Sequence, residues 1–339
     1  MSMLSETPAK RQKSGKVIGT HSGTFHADEA LAVHLIRRLP EYKDADLVRT
    51  RDSSKLDECD IVVDVGGVYD DEKKRYDHHQ RGFTETFSPA HKTKLSSAGL
   101  IYKHYGQQLI KQEMKDTSDQ TMLDVLYKKL YENFVEALDA IDNGISQYDT
   151  DSNAKYSSRT DLSSRVAHLN PSWNEPFNDN ILDQKFEIAS ALAGSEFYGA
   201  LGRAMNSWYP ARSMVEEAVK SRKTHDPSGK LIVFDSFGPW KEHLYLLEDE
   251  LQIPEEEKPL YVLYPEDSGG KWRIQAVPVS SDSFSSRKPL PEAWRGIRDQ
   301  ALSDLSGIPG CVFVHAAGFI GGNETKEGAL QMASKALAM

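Results

Sequence analysis

Apolar and polar residues alternate in blocks along most of the chain. Lys16 to Thr20 is a short extended run, Ala27 to Leu39 carries apolar residues at helical spacing before Pro40, and Ile61 to Val65 is continuously apolar up to Gly66-Gly67. These patterns predict a strand, a helix and a buried strand in turn. Leu123, Leu126, Leu130, Phe134, Leu138, Ile141 and Ile145 recur at steps of three and four, predicting one long amphipathic helix that ends near Asn143-Gly144. Asp149 to Ser164 is polar and predicts a loop. Asn180 to Arg222 predicts a second helical region, broken at Tyr209-Pro210. Past the turn formers His225-Asp226-Pro227-Ser228-Gly229, apolar runs at Leu231 to Phe234, Tyr261 to Tyr264, Trp272 to Val277 and Val312 to His315 predict further strands. Strands alternating with helices predict an α/β fold with a parallel sheet. The turn at 225–229 predicts a boundary: a polar tail over 1–15, a first domain over 16–225 and a smaller α/β domain over 226–339.

Composition narrows the classes. The chain has 339 residues, 39% of them hydrophobic, enough for two ordinary cores. A mean hydropathy of −0.56 leaves no surplus for a membrane, and no run approaches the roughly 20 apolar residues of a bilayer span. Two cysteines, Cys59 and Cys311, exclude a disulfide framework and a thiolate metal cluster, and point to a reducing compartment. Lys and Arg number 41 against 51 Asp and Glu, a net charge of −10 that argues against a protein coating nucleic acid through a broad basic face. An enzyme with a local basic groove remains compatible. Pro8-Ala9-Lys10-Arg11-Gln12-Lys13 matches a short basic nuclear-import signal, a pattern also common on solvated tails, and no secretory segment precedes it.

Four short segments carry the candidate chemistry. His21 follows the first strand and His26 and Asp28 follow within one strand-to-helix turn, where ligands of open α/β sheets sit. Asp64 lies between Val63 and Val65 at the end of an apolar strand, costly to bury without a cation. Tyr76-Asp77-His78-His79-Gln80-Arg81 sets an acid before two histidines, and Asp142 lies near the end of the long helix. Each alone fits a hydrogen-bonded core or turn residue better than a ligand. Together they are the ligand types of borderline divalent metals.

His21-x4-His26-x-Asp28, the Asp64 strand, Asp77-His78-His79 and Asp142 resemble the four motifs of the DHH phosphoesterase superfamily. The resemblance is closer to the melanocyte proliferating gene one family. Thr20 to Glu29, Val63 to Asp70, Tyr76 to Phe83 and Gly310 to Gly322 are similar to its motifs, and the likeness covers essentially the whole chain after Ser14. One departure from the wider superfamily is His26, where Asp is common, with a first-motif spacing longer by one residue. The resemblance implies a DHH-type catalytic domain followed by a substrate-binding domain, and a 3′-to-5′ exonuclease acting on single-stranded RNA in nucleus or nucleolus and mitochondria, with a cytoplasmic pool compatible. It makes His21 and His26 ligands of one metal and Asp28, His78 and Asp142 ligands of the other, with Asp64 bridging. His79 would face the substrate phosphate, and Asp77 would orient a histidine.

Two cations roughly 3.5–4 Å apart suit in-line hydrolysis of phosphoesters. Three imidazoles among the ligands favour Mn²⁺ over Mg²⁺, with Co²⁺ or Zn²⁺ also compatible. In the tail, Val312 to His315 runs into Ala316 to Asn323, which reads as a glycine-rich turn before a helix from about Thr325. Such a turn either cradles phosphate with Gly321 and Gly322 or merely permits tight packing. His315, Lys326, Arg273 and, in the first domain, Arg165 are basic candidates for substrate contacts. Phe83, Phe87 or Trp272 could stack bases, with core packing the competing reading. Other readings stay open: a small-molecule phosphohydrolase acting on pyrophosphate, cyclic dinucleotides or short oligonucleotides, and a noncatalytic module stabilised by metal. Oligomeric state is not legible in the residues.

Overall fold

The computed structural model describes residues 15–149, 156–266, 270–281 and 283–339, so the basic tail segment Pro8 to Lys13 lies outside the described residues. The chain divides into two compact units, residues 1–205 and 206–339. Both are α/β, and each is built on a five-stranded sheet.

In the first unit the strands are β1 (Val17–Thr20), β2 (Asp46–Arg49), β3 (Ile61–Val63), β4 (Tyr69–Asp70) and β5 (Arg75–Tyr76), in the order β2-β1-β3-β5-β4. β2, β1, β3 and β5 are parallel, with Ile18 beside both Leu47 and Ile61, while β4 returns antiparallel on β5. The helices are α1 (Ala27–Arg38), α2 (Ser53–Asp57), α3 (Ser97–Glu113), α4 (Gln120–Leu130), α5 (Glu136–Asp142), α6 (Leu162–Ala167) and α7 (Asp179–Arg203). α1 buries Leu31, Val33, Leu35 and Ile36 and packs against α3 and α7. The predicted long helix is α4 and α5, joined by a wider π-helical turn over Tyr131–Val135. It stops where Gly144 adopts φ +66° and Ile145 N–H bonds Ala140 O, a glycine-type helix end. Of the predicted loop, residues 150–155 lie outside the described ones, and α6 already begins at Leu162 under an Asp161 cap.

In the second unit α8 (Ala211–Ser221) precedes β6 (Leu231–Val233), α9 (Trp240–Glu250), β7 (Tyr261–Pro265), β8 (Trp272–Ala276), α10 (Asp299–Ser306), β9 (Cys311–Val314), β10 (Ile320–Asn323) and α11 (Lys326–Ala338). The sheet order is β6-β7-β8-β10-β9, parallel between β6 and β7 and antiparallel elsewhere. Alternation along the strands sends Leu231, Tyr261, Leu263 and Ile274 into one core with α10 and α11 residues, and Ile232, Val262 and Tyr264 into another with Val215, Val219 and Leu244 of α8 and α9.

One expectation is corrected here. Gly321 and Gly322 do not form an open turn; they sit inside β10, paired with β8 on one side and β9 on the other. The glycines answer crowding: a Cβ on Gly321 would lie 2.9 Å from Phe313 O, and one on Gly322 would strike the Arg273 guanidinium. The actual turn is Ala316 to Phe319, where Gly318 takes φ +73° and its N–H bonds His315 O.

Candidate metal centre at the strand ends

Four parallel strands in the order β2-β1-β3-β5 present their carboxyl ends on one edge of the first sheet, and the chemistry sits just past each. Arg51 follows β2, His21 follows β1, Asp64 follows β3, and Asp77-His78-His79 follow β5. The first turn of α1 adds Asp28 and Glu29 beside His26, and the last residue of α5 adds Asp142. Together they line a cleft of about 930 Å³ whose walls include His21, His26, Asp28, Asp64, His79 and Asp142. Five of the six sequence-derived ligand candidates thus line one cleft together with His79 and Asp77, and the sixth, His78, lies against Asp64 and Asp142.

Asp64 is the hub. It alone among these residues takes a left-handed backbone, φ +57°, an uncommon conformation for a residue with a side chain and one that marks functional turns. Its Oδ2 lies 3.4 Å from His21 Nε2, while its Oδ1 lies 3.4 Å from both His78 Nε2 and His79 Nδ1 and accepts from Ser97 Oγ at 3.2 Å. His78 Nε2 is also 2.9 Å from Asp142 Oδ2, and His21 Nε2 is 3.1 Å from Glu29 Oε1. The far nitrogens are held by oxygen acceptors: His21 Nδ1 donates to Ser22 O (3.2 Å) and His78 Nδ1 to Asn143 Oδ1 (3.3 Å). Both rings therefore aim Nε2 at carboxylates, the orientation that outer hydrogen bonds impose on metal-binding imidazoles.

The electrostatics of this cluster suit bound cations. Burial alone would lower the His21 and His78 pKa values, yet Asp64 with Glu29, and Asp142 with Asp64, raise each to about 10. Burial raises Asp64, but His21 and His78 prevail and hold it below the usual carboxylate range. Asp28 is pushed well above that range by burial and by the neighbouring Asp64, Glu29 and Asp142. It is 1% exposed, and neither of its oxygens finds a hydrogen-bond partner. A buried carboxylate left in that state is costly unless a cation binds it. Ligating atoms of His21, His26, Glu29 and Asp64, of Asp64, Asp77, His78 and His79, and of His26, Asp28 and Asp142 each fall within 4.8 Å of one another, so the residues fit divalent metal.

Asp77 accepts from Gly67 N (2.6 Å), His79 N (3.0 Å) and His79 Nδ1 (2.8 Å), which fixes the His79 ring. The His79 side chain is 60% exposed, and its pKa is raised by the Asp77 hydrogen bond over the opposing effect of burial.

Sequence reasoning passed over two residues. Glu29 is fully buried, accepts from His26 N at 2.8 Å and faces His21. Its signal was present, since an acid three residues after the helix N-cap is the capping-box position. Arg51 lines the cleft with its Nη2 3.4 Å from His21 Nδ1, and nothing in its polar Thr50-Arg51-Asp52 setting distinguishes it.

Comparison with known proteins now bears on this centre. The model of MYG1_exonuc, described as an uncharacterised protein family (UPF0160), matches residues 17–337. A Homo sapiens protein named MYG1 exonuclease is 53% identical over 341 residues, 98% of this chain and 89% of its own. The MYG1 protein of Dictyostelium discoideum is 52% identical over 324 residues, 96% and 97% of the two chains. This chain belongs to the MYG1 family. A crystal structure of exonuclease RecJ bound to manganese aligns over 96% of this chain and 91% of that one, at 15% identity and a TM-score of 0.21, too remote to argue from.

In this MYG1 family member the other sequence-derived candidates lie elsewhere. Arg165 pairs with Glu196 of α7 at 2.8 Å and is not among the cleft residues, although Ser163 and Ser164 beside it are. In the second unit Arg273 pairs with Glu266 and lies over the Phe313 ring (5.2 Å), with Nη1 buried and unpartnered. Lys326 reaches Asp235 (3.3 Å) and lies over Trp272 (5.1 Å), and His315 Nδ1 accepts from Ala317 N (3.1 Å). Phe83 is buried, and Phe87 stacks on Tyr131 with centroids 3.8 Å apart, so both rings serve packing.

Proposed function

We propose that this chain is a divalent-metal-dependent phosphodiesterase that shortens single-stranded RNA from its 3′ end, with two ions of the Mn²⁺ type. The observation that carries the metal requirement is Asp28, buried with both oxygens unpartnered inside a ring of histidines and acids. Relatives named MYG1 exonuclease support the nuclease reading. The resemblance of the four motifs to the DHH superfamily supports two-metal phosphoester hydrolysis, and the closer resemblance to the melanocyte proliferating gene one family supports the 3′-to-5′ direction, the RNA substrate and a nuclear or mitochondrial setting.

His21, His26 and Asp64 would hold one ion, with Glu29 within reach, and Asp28, His78 and Asp142 the other, with Asp64 shared between them. Ions held there would supply Lewis-acid stabilisation of the phosphoryl oxygens and an activated water. Asp77 keeps the His79 Nδ1 proton, so Nε2 is the nitrogen left to hydrogen-bond a phosphoryl or leaving oxygen in the cleft. With His21 Nε2 given to a metal, Nδ1 would carry the ring proton toward Ser22 O and offer Arg51 no acceptor. The guanidinium is then left to meet a phosphate oxygen. Phe25 and Asn170, bonded reciprocally through backbone and amide (3.1 and 2.9 Å), tie the first turn to the α6 segment and hold this wall in place.

The test incubates purified protein with 5′-labelled single-stranded RNA and Mn²⁺, beside an EDTA control and His78→Ala. A ladder shortening from the 3′ end, absent in both controls, is expected. RNA degraded equally in EDTA would overturn the metal requirement, and a ladder from the 5′ end the direction.

A further inference from the structure

The second unit holds a cavity that the metal centre does not use. It measures about 390 Å³, within the roughly 300–1,000 Å³ typical of small-molecule sites. It lies where β6 passes through residues 234–239 into α9, beside the end of β7, so it sits at the carboxyl ends of the sheet's two parallel strands. Ligands of α/β sheets collect at such ends.

Four aromatic rings converge on it. Trp240 and Tyr264 are nearly buried, Trp208 is half-buried, and Phe237 is 53% exposed although it stands only 5.1 Å from the Tyr264 ring. Trp208 is braced by stacking on His243 at 4.0 Å. Gln275 of β8 supplies the polar contact: its Oε1 accepts from Tyr264 Oη at 2.9 Å, which fixes the amide and leaves Nε2 as a donor. Lys241 and Glu242, neighbours on α9, both line the rim, so their opposite charges leave no net attraction for an anion. Recognition falls on a flat ring with an acceptor on its edge, which can stack on exposed aromatic faces and take a hydrogen bond from the amide.

We propose that this cavity is a nucleobase site, taking one base of a nucleic-acid strand or of a free nucleotide. Only the first of these sources rests on the phosphodiesterase reading. The test follows tryptophan fluorescence of the full chain in EDTA, so that turnover plays no part, during titration with adenosine, AMP and ribose 5-phosphate. Adenosine and AMP should quench saturably at similar midpoints, and ribose 5-phosphate should not. Phe237→Ala and Gln275→Leu should each weaken the midpoint at least about fivefold, the low end of one base–aromatic stack. Circular dichroism checks that both variants fold; Phe237 is in an exposed loop, so its replacement leaves the cores intact.

The sources separate by anisotropy with labelled single-stranded RNA and an abasic strand of equal length. Weakening by Phe237→Ala of the base-bearing strand alone assigns the substrate's base, whereas weakening of AMP alone assigns a free nucleotide. Absence of quenching by adenosine and AMP, equal quenching by ribose 5-phosphate, or unchanged midpoints in both folded variants would overturn the proposal. A chain that fails to cleave RNA yet binds adenosine in this way would sink the nuclease reading and leave the nucleobase site standing.

Discussion

His21 and His78 each point Nε2 into a group of carboxylates and anchor Nδ1 on an oxygen, and from that single arrangement a pH dependence follows. Both pKa values are raised to about 10, so at neutral pH each Nε2 holds a proton that a metal must displace. Raising the pH toward 10 removes the competitor, and the apparent affinity for each Mn²⁺ should therefore rise by up to about tenfold per pH unit, one imidazole proton being released per ion. Calorimetric titrations at pH 6.5 and 7.5, in buffers of different ionisation enthalpy, read both affinity and proton count. A Kd independent of pH would show that these imidazoles are not ligands. At this scale the sequence was informative wherever a residue type is chemically unusual for its setting: a carboxylate in the Val63-Asp64-Val65 strand, or paired histidines after an acid. Glu29 and Arg51 escaped because acid in a first helical turn and arginine in a polar segment have commonplace explanations, and only the tertiary approach to His21 singles them out.

The elements hold the centre through contacts distant in sequence. Asp139 of α5 is buried beneath the start of α3, where its Oδ1 accepts from Ser96 N (2.9 Å), Ser96 Oγ (2.8 Å) and Gly99 N (3.0 Å), and its Oδ2 from Tyr131 Oη (3.1 Å). It caps α3 from another helix, and Asp142 lies one turn further along the same α5. Asp139→Ala leaves Ser96 N and Gly99 N buried without an acceptor and should destabilise by ~2–4 kcal/mol, with Asp139→Asn milder because one oxygen remains. Urea unfolding of the three proteins checks the order. In the second unit, Gly321→Ala drives a Cβ against the Phe313 carbonyl, which is backbone, whereas Gly322→Ala meets the movable end of Arg273. The first should cost about 1–3 kcal/mol and the second less; equal losses would show that β10 yields as readily as a side chain.

Element prediction followed the strength of the pattern. Strands with apolar runs, such as β1, β3, β6 and β7, stood out, whereas β4 and β5, at two residues each, and the partly exposed β2 lacked any period to read. The π-helical turn between α4 and α5 leaves a helical spacing almost undisturbed, so it too was invisible. β10 was mistaken for a turn because Gly-Gly signals flexibility in sequence, while its glycines are required by close neighbours that only the sheet reveals.

For the whole molecule, the charge of −10 is informative once the acids are located. Asp28, Glu29, Asp64 and Asp77 are buried together, a concentration of negative charge that ordinary folding avoids. Among the described residues no helix is long and apolar enough to cross a membrane. Cations that bind the folded chain and not the unfolded one add stability by mass action, about 2.7 kcal/mol at a hundredfold excess over Kd. The most direct measurement is therefore Mn²⁺ titration of metal-free protein, by calorimetry with parallel thermal melts, on wild type and Asp64→Asn. Asn tolerates the left-handed backbone of position 64, so the variant should still fold, which circular dichroism in EDTA checks. The account predicts two Mn²⁺ per wild-type chain, a melting temperature that rises with metal, and loss of both in Asp64→Asn. A wild type that binds no metal and melts identically with Mn²⁺ and with EDTA would contradict it.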